Sequence, residues 1–453
     1  MQNANYDPAS VESIYSFARK LTGRSLSEAT FIPNAIANDK NRGDLGSLVE
    51  SFFFELEPGS DSGPDFTEAG LELKTTGVLR AASGGYKAKE RLVLGMINFE
   101  KVVNESWEES SFLRKCRVLL ILFYLYEKER PVVDRRFVLD PLLFRASEAD
   151  LIVIRSDWEF IRQKIMDGEA HELSEGDTVY LGACRKGSGG LGESLRKQPF
   201  SEIGAKSRAF AFKQGFMSSL IGNHESDSGF MAALHESSFE EVIVAKFDAH
   251  REKSVLEISK SFDVMKSNKN QKGFHRNLAV KILSDGGHSV PELQKAGVEM
   301  KTIRLGARGR PKESMSFPGF KFLEILEETW EGSSFYEKLE KKFLFVIFRP
   351  DKNGVERLDR VLLWNMPYGD RLEAMRVWED TKRRVAIDAT DLPKSSESHV
   401  AHVRPKGRNG SDKIATPQGG MHLRQCFWLN AGYLEQVIGG TGTQIVGNNS
   451  SIT

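Results

Sequence analysis

The sequence predicts an α/β protein made of two tandem copies of one domain, each a mixed sheet flanked by helices, so that the chain forms a pseudo-dimer. Three observations predict it. At 453 residues the chain exceeds what one hydrophobic core usually supports. The longest apolar run, Val118 to Tyr126, is too short to span a bilayer and reads as a central strand buried on both faces. A series of landmarks in the first half also returns, in the same order, in the second.

Taken in order, residues 9–25 read as an amphipathic helix, with Val11, Ile14, Phe17 and Leu21 at helical spacing. Asn41-Arg42-Gly43 is a turn, and Leu45 to Leu56 is a second helix with Leu48, Phe52 and Leu56 on one side and Glu50 upon it. Alternation around Leu71 and Leu73 predicts a half-buried strand, entered through the Ala69-Gly70 turn. A glycine-rich basic loop (Arg80 to Lys89) and an apolar segment (Leu92 to Phe99) follow, and Trp107 and Trp330 read as core aromatics. Residues 134–175 supply a strand and one or two helices, ahead of a basic, glycine-rich loop from Cys184 to Gly190. Gly222 to Glu240 has linker composition, which sets the expected boundaries at 1–222, 223–240 and 241–453.

Past the linker the pattern restarts. Lys272-Gly273-Phe274 echoes the start of the Leu45 helix, and Trp330-Glu331 with Ser333-Ser334-Phe335 echoes Trp107-Glu108 with Ser110-Ser111-Phe112. Phe343 to Phe348 stands in for the buried strand, and His402 to Gly407 for the loop that begins at Cys184.

The bulk numbers narrow the function classes. Formal net charge is zero, so any nucleic-acid face has to be a local basic cluster rather than a property of the whole chain. The cysteines Cys116, Cys184 and Cys426 and the histidines His171, His275 and His402 show no metal-ligand spacing, which argues against zinc. A reducing, cytoplasmic setting without membrane association is expected.

The chemistry concentrates at Asp65 and at Glu72-Leu73-Lys74. On a strand Glu72 and Lys74 emerge on one face, and the Ala69-Gly70 turn can fold Asp65 back towards them. Two carboxylates and an ammonium together suit a hard divalent cation able to activate water at a phosphate. By itself the spacing also fits a surface salt-bridge cluster. The stretch occurs twice, however: Pro291-Glu292-Leu293-Gln294-Lys295-Ala296-Gly297-Val298-Glu299-Met300-Lys301-Thr302 repeats it position by position.

The run Gly43-x-x-Gly46-x-Leu48-Val49-Glu50, Asp65-Phe66, Gly70-Leu71-Glu72-Leu73-Lys74-Thr75 resembles the MutH endonuclease family. The duplicated layout, with strings such as Lys89-Glu90-Arg91-Leu92-Val93-Leu94 and His171-Glu172-Leu173-Ser174-Glu175-Gly176, is similar to its Sau-3A-type restriction branch. The resemblance implies MutH-like folds and Mg²⁺ held by Asp65, Glu72 and the Leu73 carbonyl. It implies Lys74 as the residue that orients or activates water, Glu50 as an assistant, and a further basic residue near Lys115 or Arg117. DNA contacts are expected from Arg185, Lys186 and Lys213 in the first copy and from Arg404 and Lys406 in the second. Arg185 and Lys186 fit either base reading or phosphate contact.

The second copy offers Glu292 in place of Asp65 and Val280 or Lys281 in place of Glu50, so it is expected to bind DNA without cutting it. The implied function is a type II restriction endonuclease cutting duplex DNA at an unmodified GATC-like site. The second domain would hold another site allosterically, and the chain would be a monomer when free and a dimer on DNA. The alternatives are a mismatch-repair-type nicking enzyme and a non-cleaving DNA-binding regulator.

Overall fold

The computed structural model describes residues 6–33, 45–56, 63–82, 84–186, 195–222, 228–264, 273–407 and 410–440. In the first half, β1 (Glu72–Arg80), β2 (Tyr86–Ala88), β4 (Leu119–Leu125) and β5 (Leu142–Phe144) form one sheet in the order β2-β1-β4-β5. Only β1 and β4 run parallel. β4 is the predicted central strand, and Leu119 to Phe123 are all buried. The predicted loop from Arg80 to Lys89 is mostly hairpin. β1 pairs with β2 from Val78↔Ala88 to Arg80↔Tyr86, and Gly84 and Gly85 supply the positive φ of the turn (91° and 72°).

A second sheet, in the order β3-β9-β6, is built from β3 (Leu92–Met96), β6 (Leu181–Arg185) and β9 (Arg208–Phe212). The hairpin β7 (Arg196–Gln198)–β8 (Ser201–Ala205) projects from it. Each half therefore divides its strands between two small sheets. The apolar faces explain the split. Phe144 on β5 meets Phe212 on β9 at 5.6 Å, and Phe112 meets Phe210 at 5.1 Å, so aromatic side chains of both sheets and of a helix bury one another.

The predicted Leu45–Leu56 helix also divides. An α-helical turn, Leu45–Leu48, passes into a π-turn, Val49–Phe53. The extra residue in that turn rotates Val49 and Phe53 into the core in place of Phe52 and Leu56. The Asn41-Arg42-Gly43 turn lies outside the described residues.

The second half repeats this plan. β10 (Glu299–Arg304) runs parallel to β12 (Phe343–Pro350), which pairs antiparallel with β13 (Glu356–Trp364). β11 (Met315–Phe320), β17 (Gln425–Leu429) and β14 (Ala401–Pro405) form the second sheet, with the hairpin β15 (Lys413–Ala415)–β16 (Met421–Leu423) beside it. The match extends to single bonds. The Glu72 N–H donates to the Val118 carbonyl at 3.0 Å, and the Glu299 N–H to the Lys342 carbonyl at 2.9 Å. Ser110 caps the Ser111–Cys116 helix as Ser333 caps Ser334–Leu339. Trp107 lies on Trp158 at 5.7 Å as Trp330 lies on Trp378 at 5.9 Å, and both indoles flagged by the repeat are buried.

The stretch with linker composition holds helices at Ser228–Ala233 and Phe239–Asp248, and it buries Phe230, Leu234 and Phe239. These side chains belong to an apolar cluster that runs without a break from Val78 and Phe216 in the first half to Leu344 and Phe348 in the second. The joint is reinforced by an ion pair between Lys295 and Asp150 at 2.5 Å, both buried, with the ammonium over the Tyr180 and Phe216 rings at 4.9 and 5.4 Å. At Gly215 the Gln214–Gly222 helix touches the second half directly, because a Cβ there would stand 2.1 Å from the Gln294 carbonyl oxygen. Gly215→Ala should therefore force the halves apart locally and cost about 1–3 kcal/mol. Thermal unfolding checks this, and an unchanged melting temperature would show that the two halves do not bear on each other there.

Candidate active site

Phe66 and Leu71 exchange backbone hydrogen bonds of 2.9 and 3.2 Å across the Thr67–Gly70 turn, and Gly70 takes φ +61°. Their side chains, with that of Leu73, are buried in the N-terminal apolar cluster and pin the hairpin. The doubling-back carries Asp65 to the start of β1, where its Oδ2 accepts the Leu73 N–H at 2.8 Å. Glu72 Oε2 in turn accepts the Asp65 N–H at 3.3 Å. Glu72 is fully buried, Lys74 Nζ donates to its Oε1, and Lys115 Nζ lies 3.3 Å from the same oxygen.

Burial pushes the Glu72 carboxyl above its ordinary range, against the pull of Lys74, and the Asp65 charge adds to the rise. Burial would lower the Lys74 ammonium, but Glu72 and Asp65 hold it above its usual value. The Glu72 shift is thus mainly a cost of burial, and the Lys74 shift reflects its pairing with the two carboxylates. Burial, helped by the charge of Glu72, pushes the Cys116 thiol up to about 12, so it contributes no thiolate. Oxygen donors in an electron-rich pocket fit a hard divalent cation. Among the described residues no group of three or more His, Cys, Asp or Glu side chains is placed to hold a metal. A cation here would rest on two carboxylates, with carbonyl and water oxygens completing its shell, as magnesium tolerates.

Asp65, Glu72, Lys74 and Lys115 thus come together, while the other sequence candidates are placed variously. Glu50 is half-buried on the π-turn. Leu73 turns its side chain into the core and offers its backbone to the site. Arg117, two positions past Lys115, faces away from it and is exposed at the edge of a 400 Å³ cavity floored by Trp107 and Phe112. Lys186 is exposed at the end of β6, but Arg185 is engaged by the second half, its Nη1 2.6 Å from Glu331, which also holds Lys206 at 2.8 Å. Arg404 is exposed and stacks on the Trp428 ring at 3.8 Å. Lys406 donates to Ser316 Oγ at 2.7 Å and to the Phe317 carbonyl at 3.0 Å.

Lys213 is a correction. It does not reach a DNA-facing surface, because it is buried and donates to the Thr178 carbonyl near Asp157.

The second-half site is built differently. Lys301 lies 2.8 Å and Lys338 3.4 Å from Glu299, matching Lys74 and Lys115. Burial alone would raise Glu299, but these lysines hold it below the ordinary range. This carboxylate already has its cations. Pro291–Lys295 is a helix instead of a hairpin turn, and it carries Glu292 to a buried position. Glu-Leu-Gln-Lys behind an N-terminal proline is strongly helix-forming, whereas Asp-Phe-Thr in the first copy is not. Lys338 and Glu331 were not among the sequence candidates. Lys338 was findable, because it follows its capping Ser333 by the same five positions that separate Lys115 from Ser110.

Burial pulls Lys213 down to about 8 from 10.5, with the Asp157 charge resisting the fall. Between those values the unfolded chain binds the extra proton, so this group's contribution to stability is present above 10.5 and lost as pH falls through about 8. Urea unfolding should therefore show a gain on the order of 2 kcal/mol from about pH 8 to about pH 10 that Lys213→Met lacks. Equal pH dependence in the two proteins would place Lys213 in contact with water.

Comparison with known proteins gives the family. The family model described as "DNA mismatch repair enzyme MutH" matches residues 54–157 and 283–375, one segment in each half. The chain is 32% identical to the type II restriction enzyme Sau3AI of Staphylococcus aureus, over 94% of this chain and 98% of that protein. It is 25% identical to the DNA mismatch repair protein MutH of Shewanella woodyi, over 48% of this chain and 93% of that protein. The chain belongs to the MutH family, matched by the family model in both halves and by a restriction-enzyme relative along nearly its whole length.

Proposed function

We propose that the chain is a type II restriction endonuclease that hydrolyses phosphodiester bonds of duplex DNA at a GATC-like site, with Mg²⁺ as its cofactor. The observation that carries this reading is the Asp65–Glu72–Lys74–Lys115 constellation, which brings two carboxylates together beside two lysines at the start of β1. Asp65 and Glu72, with the Leu73 carbonyl, would hold the magnesium, which when bound polarises the scissile phosphate and acidifies water. Lys74, as an ammonium, orients the attacking water, and Lys115 keeps the Glu72 carboxylate turned into the site. Glu50 assists from the neighbouring π-turn. Arg185 and Lys186 contact the site DNA from the end of β6, once Glu331 has given up the arginine.

The second half supports DNA binding without cutting. Its Glu299 is satisfied by Lys301 and Lys338, its second carboxylate is buried elsewhere, and Arg404 lies exposed on Trp428. Two strands need cutting and one competent centre is present per chain, so two chains assemble on DNA, each with its second half on a further site. A nicking enzyme would not need the second half, and the similarity to the restriction enzyme spans both.

Asp65→Ala should lower cleavage of a plasmid carrying the site by about 1000-fold or more in magnesium, while duplex binding in calcium survives. Cleavage at the wild-type rate would remove Asp65 from the centre. Glu299→Ala should leave single-turnover cleavage within about two-fold of wild type. A collapse comparable to that of Asp65→Ala would mean that the second half cuts.

A further inference from the structure

Between β6 and β9 the chain leaves the sheet as the β7–β8 hairpin and then returns to it. The hairpin is anchored where its turn begins by Gln198, 7% exposed, which accepts the Ala170 N–H at 2.8 Å and donates to the Ile203 carbonyl at 2.6 Å. Its tip is anchored too. Gly168, at φ +76°, lies so close that a Cβ there would stand 2.6 Å from the Phe200 carbonyl oxygen. On this fixed tip Phe200 sits in the left-handed region, φ +63°, with its ring 74% exposed. Leu195 and Ile203 beside it are each 56% exposed.

A phenylalanine held in that conformation is strained, and a ring left in water does not stabilise the fold. The surroundings indicate what the ring meets. Arg196 and Lys197 on β7 and Lys186 at the end of β6 are exposed; the exposed acids are Glu202 on the hairpin and Asp167 and Glu169 on either side of Gly168. A fixed apolar tip carried on a strand with exposed cations is the form of side chain that proteins push between DNA base steps. The second half has a hairpin in the corresponding place. Its β15–β16 hairpin leaves between β14 and β17, Gln418 Nε2 holds the tip to the Val385 carbonyl at 3.0 Å, and Met421 is exposed.

We propose that Phe200 is a wedge that enters the DNA duplex beside the recognition site and partly unstacks one base step, with Arg196 and Lys197 on the flanking phosphates. The proposal rests on the duplex-DNA reading above. The hairpin grows out of the strand pair that carries Arg185 and Lys186, so a duplex held at that strand end runs past the tip.

The test uses the full chain in calcium with short duplexes carrying the site and 2-aminopurine at successive steps. The wild type should raise the fluorescence at one step. Phe200→Gly, which relieves the backbone and so preserves the fold, should lose that signal and weaken duplex binding about ten-fold. Phe200→Trp should keep both. Unchanged binding and fluorescence in Phe200→Gly overturns the wedge while leaving the endonuclease reading intact, provided the wild type still cuts in magnesium. Loss of self-association by DNA-free Phe200→Gly, with DNA binding unchanged, also overturns it and makes the tip a protein contact. A wild type that neither binds nor cuts any duplex removes the endonuclease reading and the wedge with it.

Discussion

A fully buried carboxylate at the first residue of a parallel strand constrains the rest of the first half. Glu72 cannot be left without compensation in that environment, and the chain supplies it from three directions. Lys74 comes from the same strand face, Lys115 from the capped helix that leads into β4, and the Asp65 backbone N–H from the hairpin before β1. Each donor requires its own element in place. The parallel β1–β4 register fixes where Glu72 emerges, the Phe66–Leu71 pair folds Asp65 back, and Ser110 starts the helix that aims Lys115. Burial still holds the Glu72 carboxyl above its ordinary range, while its partners keep the Lys74 ammonium charged.

The second half keeps part of this arrangement and changes the rest. The glutamate and both lysines remain within ion-pair distance. The difference is a short segment whose residues favour helix, so the second carboxylate leaves the pocket and the remaining one is fully matched by ammonium groups. The same segment gained another use. Lys295 on that helix forms the buried pair with Asp150, and the turn behind it receives Gly215. Rebuilding a metal site in the second half would therefore work against the joint between the halves.

The two halves also meet at the residues the DNA reading requires. Arg185 and Lys206 share Glu331, so a second-half carboxylate occupies the place a phosphate or base edge would take. The continuous apolar core between the halves makes any movement there a movement of packed elements, not of a free linker.

The sequence by itself determined the duplication, the buried central strands and the hairpin that brings Asp65 to Glu72. These depend on apolar runs, turn residues and i,i+2 spacing, all local along the chain. It also marked Lys115 as a position of interest without fixing its role, because Lys115 and Glu72 meet only once the Ser111–Cys116 helix is docked. Tertiary structure decided the remainder. Lys213 is expected from the sequence to contact DNA, yet packing buries it. Arg185 looked free, yet it found a partner in the other half. Phe200 carries no signal in the sequence, and the anchored hairpin holds it outward. Burial and pairing of this kind are set by contacts between residues far apart in sequence, and no local pattern encodes which of them will form.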